Sequence, residues 1–316
     1  MSFEAKYLGS NGWLIKFNKI NLLIDPWLTG DLVFPPGDWF FKGSLDKEII
    51  IEEEINIILL TQGLPDHCHI PSLEKFIRHK LFCLNKEINK NYEEFNFYKA
   101  YQTVLNFCSK ELSSLFFDIR KDALYCNAPN SLISRSTKTV MIDVFQCLIR
   151  WLAPIIPFTT EEAWQNWLVC GEKEQEASCH LLKNIDLPKE WRDDELEENW
   201  SKILEIKDVF SFTVEQKRNL KEIKSSMEAS ALIFFKDEEY RRVAESFDLS
   251  EILISSKVSI SESFDESFIF NSEEKKIGIK IAKKSSYKCP RCWKLFEKKN
   301  DKMELCERCD SVLNAQ

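Results

Sequence analysis

Cys289-Pro-Arg-Cys-Trp293 and Cys306-Glu-Arg-Cys309 are two Cys-x-x-Cys pairs separated by thirteen residues, near the end of a sequence of 316 residues. Two residues between cysteines let a tight knuckle aim both sulfurs at one metal. A second knuckle, returned by a hairpin, completes a tetrahedron. Thiolate sulfur selects zinc or iron. A redox dithiol is the rival reading, but two matched pairs with basic neighbours favour a closed four-thiolate site. With all four positions filled by protein no water can be activated, so the expected ion is one structural zinc held by Cys289, Cys292, Cys306 and Cys309. Trp293 either lies in the core beneath the metal or stacks on RNA. Arg291, Lys294, Lys298 and Lys299 either pair with phosphates or are solvated charge.

Working outward, the other seven cysteines (Cys68, Cys83, Cys108, Cys126, Cys147, Cys170, Cys179) lie far apart, and the total of eleven is odd. Both facts argue against a disulfide framework, and these seven read as small buried hydrophobes. The net charge of -8 excludes a uniformly basic nucleic-acid binder. It conceals a local reversal. Between Lys275 and Cys309 there are twelve Lys or Arg against four Asp or Glu, so this segment is +8 and the remainder -16. RNA contacts are expected to concentrate there. Hydrophobic residues at 44% and charged ones at 30% fit a folded chain. No apolar run is long enough for a membrane span and no signal pattern opens the chain, which places it in the cytosol without a membrane partner.

Six of the eight glycines fall in the first 76 residues, among the apolar runs Trp13 to Phe17, Leu22 to Ile24 and Ile57 to Leu60. That is a pattern of short strands and turns. After Pro71 the next glycine is Gly171, and helical periodicity takes over. Phe97, Tyr101, Val104, Leu105, Cys108, Leu112, Leu115 and Phe116 share one helix face, as do Met141, Val144, Phe145, Leu148, Ile149 and Leu152. Pro154 and Pro157 stop that second helix, and Thr159 with Glu162 forms a capping box for a third that buries Trp164, Trp167 and Leu168. A surface loop is expected at Glu172 to Glu176. Trp200, Ile203 and Leu204 open a fourth helix running towards Lys224. Matching stripes at short connections imply a bundle. Strands are expected at Leu232 to Phe235, Ile252 to Ile254 and Ile277 to Ile281, with strands and solvated turns between Ser255 and Glu274. The fold class is therefore mixed: an N-terminal β-rich fragment, an α-helical bundle, a small α/β appendage and a C-terminal zinc ribbon.

The CPRCW and CERC knuckles resemble the C-terminal zinc motif of isoleucyl-tRNA synthetases. Phe117-Asp-Ile-Arg-Lys-Asp122, Leu124-Tyr-Cys126, Arg135-Ser-Thr137, Trp151-Leu-Ala-Pro154, Phe158-Thr-Thr-Glu-Glu162 and the segment Ser178 to Trp200 resemble that family's anticodon-binding helical domain. So does Val214 to Ala229, although Lys224 stands where a glycine is expected. The resemblance covers about 240 residues, divided as 77–228 anticodon-binding domain, 229–284 appendage and 285–316 zinc ribbon. It implies tRNA(Ile) as partner, no DNA, and a helical domain packed on the anticodon stem while the ribbon positions the tRNA. Arg135, Lys138, Lys217, Arg218 and Lys221 fall in the family-like blocks and are the candidate contacts on the helices; solvated charge is their plain alternative. The family's HIGH and KMSKS signatures, which mark the ATP and isoleucine sites, do not occur here. Aminoacylation is therefore expected only with a separate catalytic part.

Residues 1–76 resemble instead the start of a metallo-β-lactamase-like hydrolase. Tyr7 to Phe17, Leu22 to Trp27 and Ile57 to Thr61 match its opening strands, with an Asp-Pro-Trp turn at Asp25. Its THxHxDH metal motif reads here Thr61, Gln62, Gly63, Leu64, Pro65, Asp66, His67. Two histidine ligands are thus replaced by Gln62 and Leu64. Asp66 and His67, even with His69, fit a surface polar cluster better than a catalytic zinc site. His79 and His180 read as surface or helix residues. The resemblance implies a truncated sandwich in which Trp13, Ile24 and Ile58 lack a full partner layer. Three functions follow: a tRNA-binding portion of an isoleucine-tRNA ligase, a non-selected fusion or assembly chimera of two gene fragments, and a metallo-hydrolase with an RNA-targeting extension. The missing ligands disfavour the last.

Overall fold

In the computed structural model the described residues are 3–9, 12–17, 20–25, 31–33, 42–44, 49, 51, 57–59, 72–170, 176–270, 276–283, 286–297 and 304–314. They form two compact units, Met1–Glu74 with Ala128–Lys138, and Lys75–Asn127 with Thr139–Gln316.

The first unit holds a four-stranded sheet. β1 (Phe3–Gly9), β2 (Gly12–Phe17) and β3 (Ile20–Ile24) form an antiparallel meander. β4 (Asp31–Val33) and β5 (Lys42–Ser44) pair separately, and β6 (Ile57–Leu59) joins β3 in parallel. Side chains alternate between faces along each strand. Leu8, Leu14 and Leu23 share the buried face and pack with Ile51. The register Phe3↔Phe17, Tyr7↔Trp13 and Trp13↔Ile24 sets the other face. Trp13 is 41% and Phe3 67% exposed on it, and Ile24 is half-buried. Ile58 has no described side chain. Gln62, Leu64, Asp66, His67 and His69 lie outside the described residues.

The second unit is a helical body with a small sheet. Its helices are α1 (Ser72–Glu93, from Lys75 on), α2 (Phe97–Phe107), α3 (Asp118–Cys126), α4 (Leu132–Leu152, from Thr139 on), α5 (Pro157–Cys170) and α6 (Asp194–Asn219). A π-helical segment, Cys108–Phe117, joins α2 to α3 without a break. β7 (Ala229–Phe235), α7 (Glu238–Glu245), α8 (Leu249–Ile252) and β8 (Lys257–Ser261) form a parallel crossover unit. β9 (Ile269–Phe270) and β10 (Ile277–Lys283) complete the order β8-β7-β10-β9. The chain closes with the hairpin β11 (Tyr287–Lys288) and β12 (Leu295–Phe296), then α9 (Glu307–Asn314). The architecture is mixed, as composition and periodicity predict. Among the described residues no helix is long and apolar enough to cross a membrane.

Aromatic side chains fill the body. Trp200 is fully buried, stacked on Phe76 at 5.0 Å and edge-on to Phe247 at 5.5 Å. Trp151 meets Phe107 and donates its Nε1–H to Asn85 Oδ1 at 2.9 Å. Asn85 in turn donates to the Ile185 carbonyl, so this buried polar chain is satisfied. Arg120, 1% exposed, reaches Glu251 at 2.6 Å and ties α3 to α8. Lys207 of α6 donates to the Ile252 carbonyl at the end of α8.

Several expectations are corrected. Periodicity missed α1, whose charges are spent on neighbours: Arg78 pairs with Asp143 at 2.8 Å, and His79 and Lys80 both reach Glu197. His79 is in a helix but fully buried. α5 starts at Pro157, a residue suited to a first helical position, so Thr159 and Glu162 lie inside the helix and form no capping box. Ile252 to Ile254 is no strand, because Asp248 caps α8 through the Glu251 N–H and the chain turns at Ile254 with φ 52°. α6 begins earlier, capped by Asp193, and ends at Asn219. Lys221 takes the left-handed φ of 59° after that helix, while Lys224 has no positive φ and so tolerates a side chain where glycine was expected. Cys126, Cys147 and Cys179 are buried, but Cys83 is exposed and Cys108 half-buried. Cys68 and the side chain of Cys170 lie outside the described residues.

The alternation in β2 makes a direct test. Leu14→Ala should destabilise the first unit by about 2–5 kcal/mol, the usual range for truncating a buried leucine. Trp13→Ser should cost far less. Denaturant unfolding followed by a fluorophore in this unit checks it, and equal costs would contradict the register.

Candidate metal centre and RNA-facing residues

The hairpin β11–β12 presents Cys289 and Cys292 in its loop, while Cys306 immediately precedes α9 and Cys309 lies in its first turn. The first knuckle is closed by Trp293 N–H to the Cys289 carbonyl at 2.9 Å and Cys289 N–H to the Lys294 carbonyl at 3.0 Å. The second is closed by Asp310 N–H to the Cys306 carbonyl at 3.0 Å. All four sulfurs lie within 4.8 Å of one another. Cys292 Sγ and Cys306 Sγ are 3.6 Å apart. That is far beyond a disulfide bond, and it suits sulfurs placed about 2.3 Å from a common tetrahedral ion. The residues therefore fit a metal ion. Burial opposes ionisation of Cys289, but the backbone N–H groups of Cys292, Cys306 and Arg291 outweigh it and lower the thiol, while burial pushes the Cys292 and Cys306 thiols up. A thiolate is the ligand form.

The cysteines also pack on α3. Cys126 joins Cys289, Cys292 and Cys309 in one buried cluster, edged by Phe296 and Leu305. Arg308 makes a bidentate pair with Asp122 at 2.6 and 2.7 Å and also donates to Asn127 Oδ1 at 3.0 Å. Burial works against the charge on Asp122, yet the hydrogen bonds from Arg308 and the nearby Lys294 hold its carboxyl below the usual range. Arg291 donates to the carbonyls of Cys126 at 2.6 Å and Tyr125 at 3.2 Å. Sequence reasoning missed Asp122 and Arg308. The signal was present: each knuckle carries an arginine just before its second cysteine.

The candidate RNA contacts fall in three places. Arg135 and Lys138 lie in the stretch of α4 assigned to the first unit. Lys217, Arg218 and Lys221 gather at the C-terminal end of α6, where Lys217 pairs with Glu222 and Arg218 with Glu215. Arg291, Trp293 and Lys294 sit on the first knuckle, with Lys294 3.1 Å from Asp122. Trp293 is 63% exposed, so it is not a core residue beneath the metal, and Lys288 lies over its ring at 5.9 Å. Its φ of 63° is a conformation bulky residues rarely adopt. Lys298 and Lys299 lie outside the described residues.

With this geometry established, comparison decides the family. The family model described as the anticodon-binding domain of tRNA ligase matches residues 74–233. The chain belongs to that anticodon-binding family. A second model, the beta-lactamase superfamily domain, matches residues 4–122. The chain is 37% identical over 229 residues to an isoleucine–tRNA ligase of Bartonella quintana, a span covering 72% of this chain and 23% of the relative. It is 37% identical over 239 residues to that of Pelagibacter ubique, covering 76% and 24%. For Caldicellulosiruptor saccharolyticus the identity is 34% over 254 residues, covering 78% and 26%. The chain thus spans about a quarter of the length of these relatives.

Two other groupings of ligand-type side chains occupy this unit, and each has a structural task. His79 Nδ1 accepts the Asp193 N–H at 2.8 Å while its Nε2 meets Glu197, and Asp194 is paired with Arg192. Glu161, beside Cys179 and His180, accepts from Gln165, the Ser178 hydroxyl and the Cys179 N–H. These hydrogen bonds, Gln165 first and then Ser178 and Cys179, hold the Glu161 carboxyl at about 2 against an ordinary 4.5. A folded value below the unfolded one stabilises the fold above about 4.5 and loses that stabilisation as pH falls through about 2. The stability difference between the parent protein and Glu161→Gln should therefore be constant at neutral pH and shrink across that acid window. Denaturant titrations at a series of pH values measure it, and a difference unchanged down to about pH 2 would contradict the capping role.

Proposed function

We propose that this chain is the tRNA-binding portion of an isoleucine-tRNA ligase, in which residues 77–228 pack against the anticodon stem of tRNA(Ile). Residues 229–284 form the appendage and 285–316 a zinc ribbon with one structural zinc on Cys289, Cys292, Cys306 and Cys309. One observation carries this reading: the region matched by the anticodon-binding family is the helical body, and the cysteine-bearing tail packs on that same body through α3. With four thiolates as ligands, the zinc would supply structure and no activated water. Aminoacylation would need the ATP- and isoleucine-binding part, whose HIGH and KMSKS signatures are not among these residues.

The RNA surface would combine the basic end of α6 with the first knuckle. Zinc and four thiolates together contribute about -2 to the +8 of the Lys275 to Cys309 segment, which stays attractive to phosphate. Trp293, exposed beside Lys288 and Lys294, suits stacking on an unpaired base.

A second reading has its own support. Two unrelated family models overlap at residues 74–122, so the change of family falls within the helical part of the chain. This suits a fusion of two gene fragments in which residues 1–76 contribute nothing to RNA binding. A long genomic read across codons 60 to 100 separates a contiguous gene from an assembly product.

The main reading predicts salt-sensitive binding of tRNA(Ile), weakening steeply between about 50 and 200 mM salt as neutralised phosphates regain counterions. Charge reversal of Lys217, Arg218 and Lys221 together should weaken binding further and flatten the salt slope. Fluorescence titration at two salt concentrations reads both. Binding that ignores salt, or that is equal for an unrelated tRNA, would sink the assignment.

A further inference from the structure

We infer that Arg291 and Arg308 are a pair of positioning residues, which latch the metal-held knuckles onto the C-terminal end of α3 and so set where Trp293 and its neighbouring cations stand relative to the helical body. The inference rests on the tRNA-binding reading above for its consequence, but not for its geometry.

The two arginines occupy the same place in their knuckles, one residue before the second cysteine, yet they are seventeen positions apart in sequence. They meet because the four sulfurs converge. From there each guanidinium reaches a different feature of one helix end. Arg291 takes the carbonyls of Tyr125 and Cys126, which belong to the last turn of α3 and have no intrahelical N–H to accept. A cation at that end is also favoured by the helix dipole. Arg308 takes both carboxylate oxygens of Asp122 in the fork geometry that only arginine offers. Arg291 Nη1 stands 3.5 Å from Cys309 Sγ, so the arginine of the first knuckle also touches a ligand of the second. A change in how the knuckles are held would therefore be felt at α3.

This assigns to Arg291 and Arg308 a task different from contacting phosphate. The two roles give opposite signs for one substitution. If Arg308 touched RNA directly, Asp122→Ala would remove a repelling charge and leave tRNA affinity unchanged or tighter. In the latch, Asp122→Ala frees Arg308 and must weaken binding just as Arg308→Ala does.

The test uses the full chain with its metal content measured for every variant. Asp122→Ala, Arg308→Ala and the double variant should each retain the metal of the parent. Each should show faster hydrogen exchange in residues 287–296 and 307–314 without tRNA. Each should lose on the order of tenfold in tRNA affinity, the double well short of the product of the two singles, because both remove the Arg308–Asp122 contact while Asp122 also loses Lys294 and Arg308 also loses Asn127. Asp122→Asn and Arg308→Lys serve where an alanine variant fails to fold, with the same signs. Parent-like exchange in Asp122→Ala overturns the latch. So does tighter tRNA binding by that variant, or additive losses in the double. If the parent binds no tRNA, the tRNA reading fails while the exchange measurement still decides the latch.

Discussion

The convergence of four sulfurs is the constraint on which the end of this chain depends. Among the described residues of 286–314 the buried cluster is Cys289, Cys292 and Cys309, closed by Cys126 from α3 and edged by Phe296 and Leu305. Two-residue strands such as β11 and β12 cannot hold themselves in water. A structural zinc in such a setting is worth roughly 10–16 kcal/mol at neutral pH, comparable with the whole stability of a domain. A metal at this point would therefore hold together what the small cluster of cysteines begins.

The helical body solves a different problem, that of fixing long charged helices against each other. It does so by pairing charges that cross between helices. Arg78 of α1 meets Asp143 of α4, and Arg120 of α3 meets Glu251 of α8 while nearly devoid of solvent. Arg120 is the buried member of its pair, so removing Glu251 would strand a charge away from water, which makes this contact the stronger tie between helices. The family match at 74–233 covers this body, and the packing of the cysteine knuckles against α3 brings the tail to it. One helix end thus links the anticodon-binding fold to the candidate metal centre.

How far the sequence was legible follows from which forces act locally. The four converging cysteines were readable because their spacing is a local property, and the stripes of α4 and α6 because burial on one side imposes a period. The stripe expected on α2 was only half right, since Phe97, Tyr101 and Leu105 are exposed and its buried residues are Ala100, Val104 and Phe107. α1 escaped because its polar side chains are buried by partners distant in sequence: His79 by Asp193 and Glu197, Asn85 by Trp151 and Ile185. The misplaced strand at Ile252 to Ile254 had the right hydrophobicity, and a single Asp248 cap with a left-handed turn decided otherwise. Trp293 shows the limit of composition. An aromatic beside a metal ligand suggests a core residue, but the left-handed turn of the knuckle leaves its ring in solvent. Asp122 and Arg308 were hidden because their pairing spans 186 positions.

The N-terminal sheet is held differently. Among the described residues its buried side is made by Leu8, Leu14 and Leu23 with Ile51, while the aromatic side chains of Phe3, Tyr7, Trp13 and Phe17 are exposed. Its likeness to the beta-lactamase superfamily extends to residue 122, into helices that also match the anticodon-binding family. The central claim nevertheless lies at the other end of the chain, that four cysteines hold one metal ion against the helical body. X-ray absorption at the zinc edge of the purified chain, with elemental analysis, tests it most directly. The account predicts one zinc per chain with four sulfur neighbours at about 2.3 Å. Oxygen or nitrogen neighbours in place of sulfur, or cysteines oxidised in pairs with no metal bound, would contradict it.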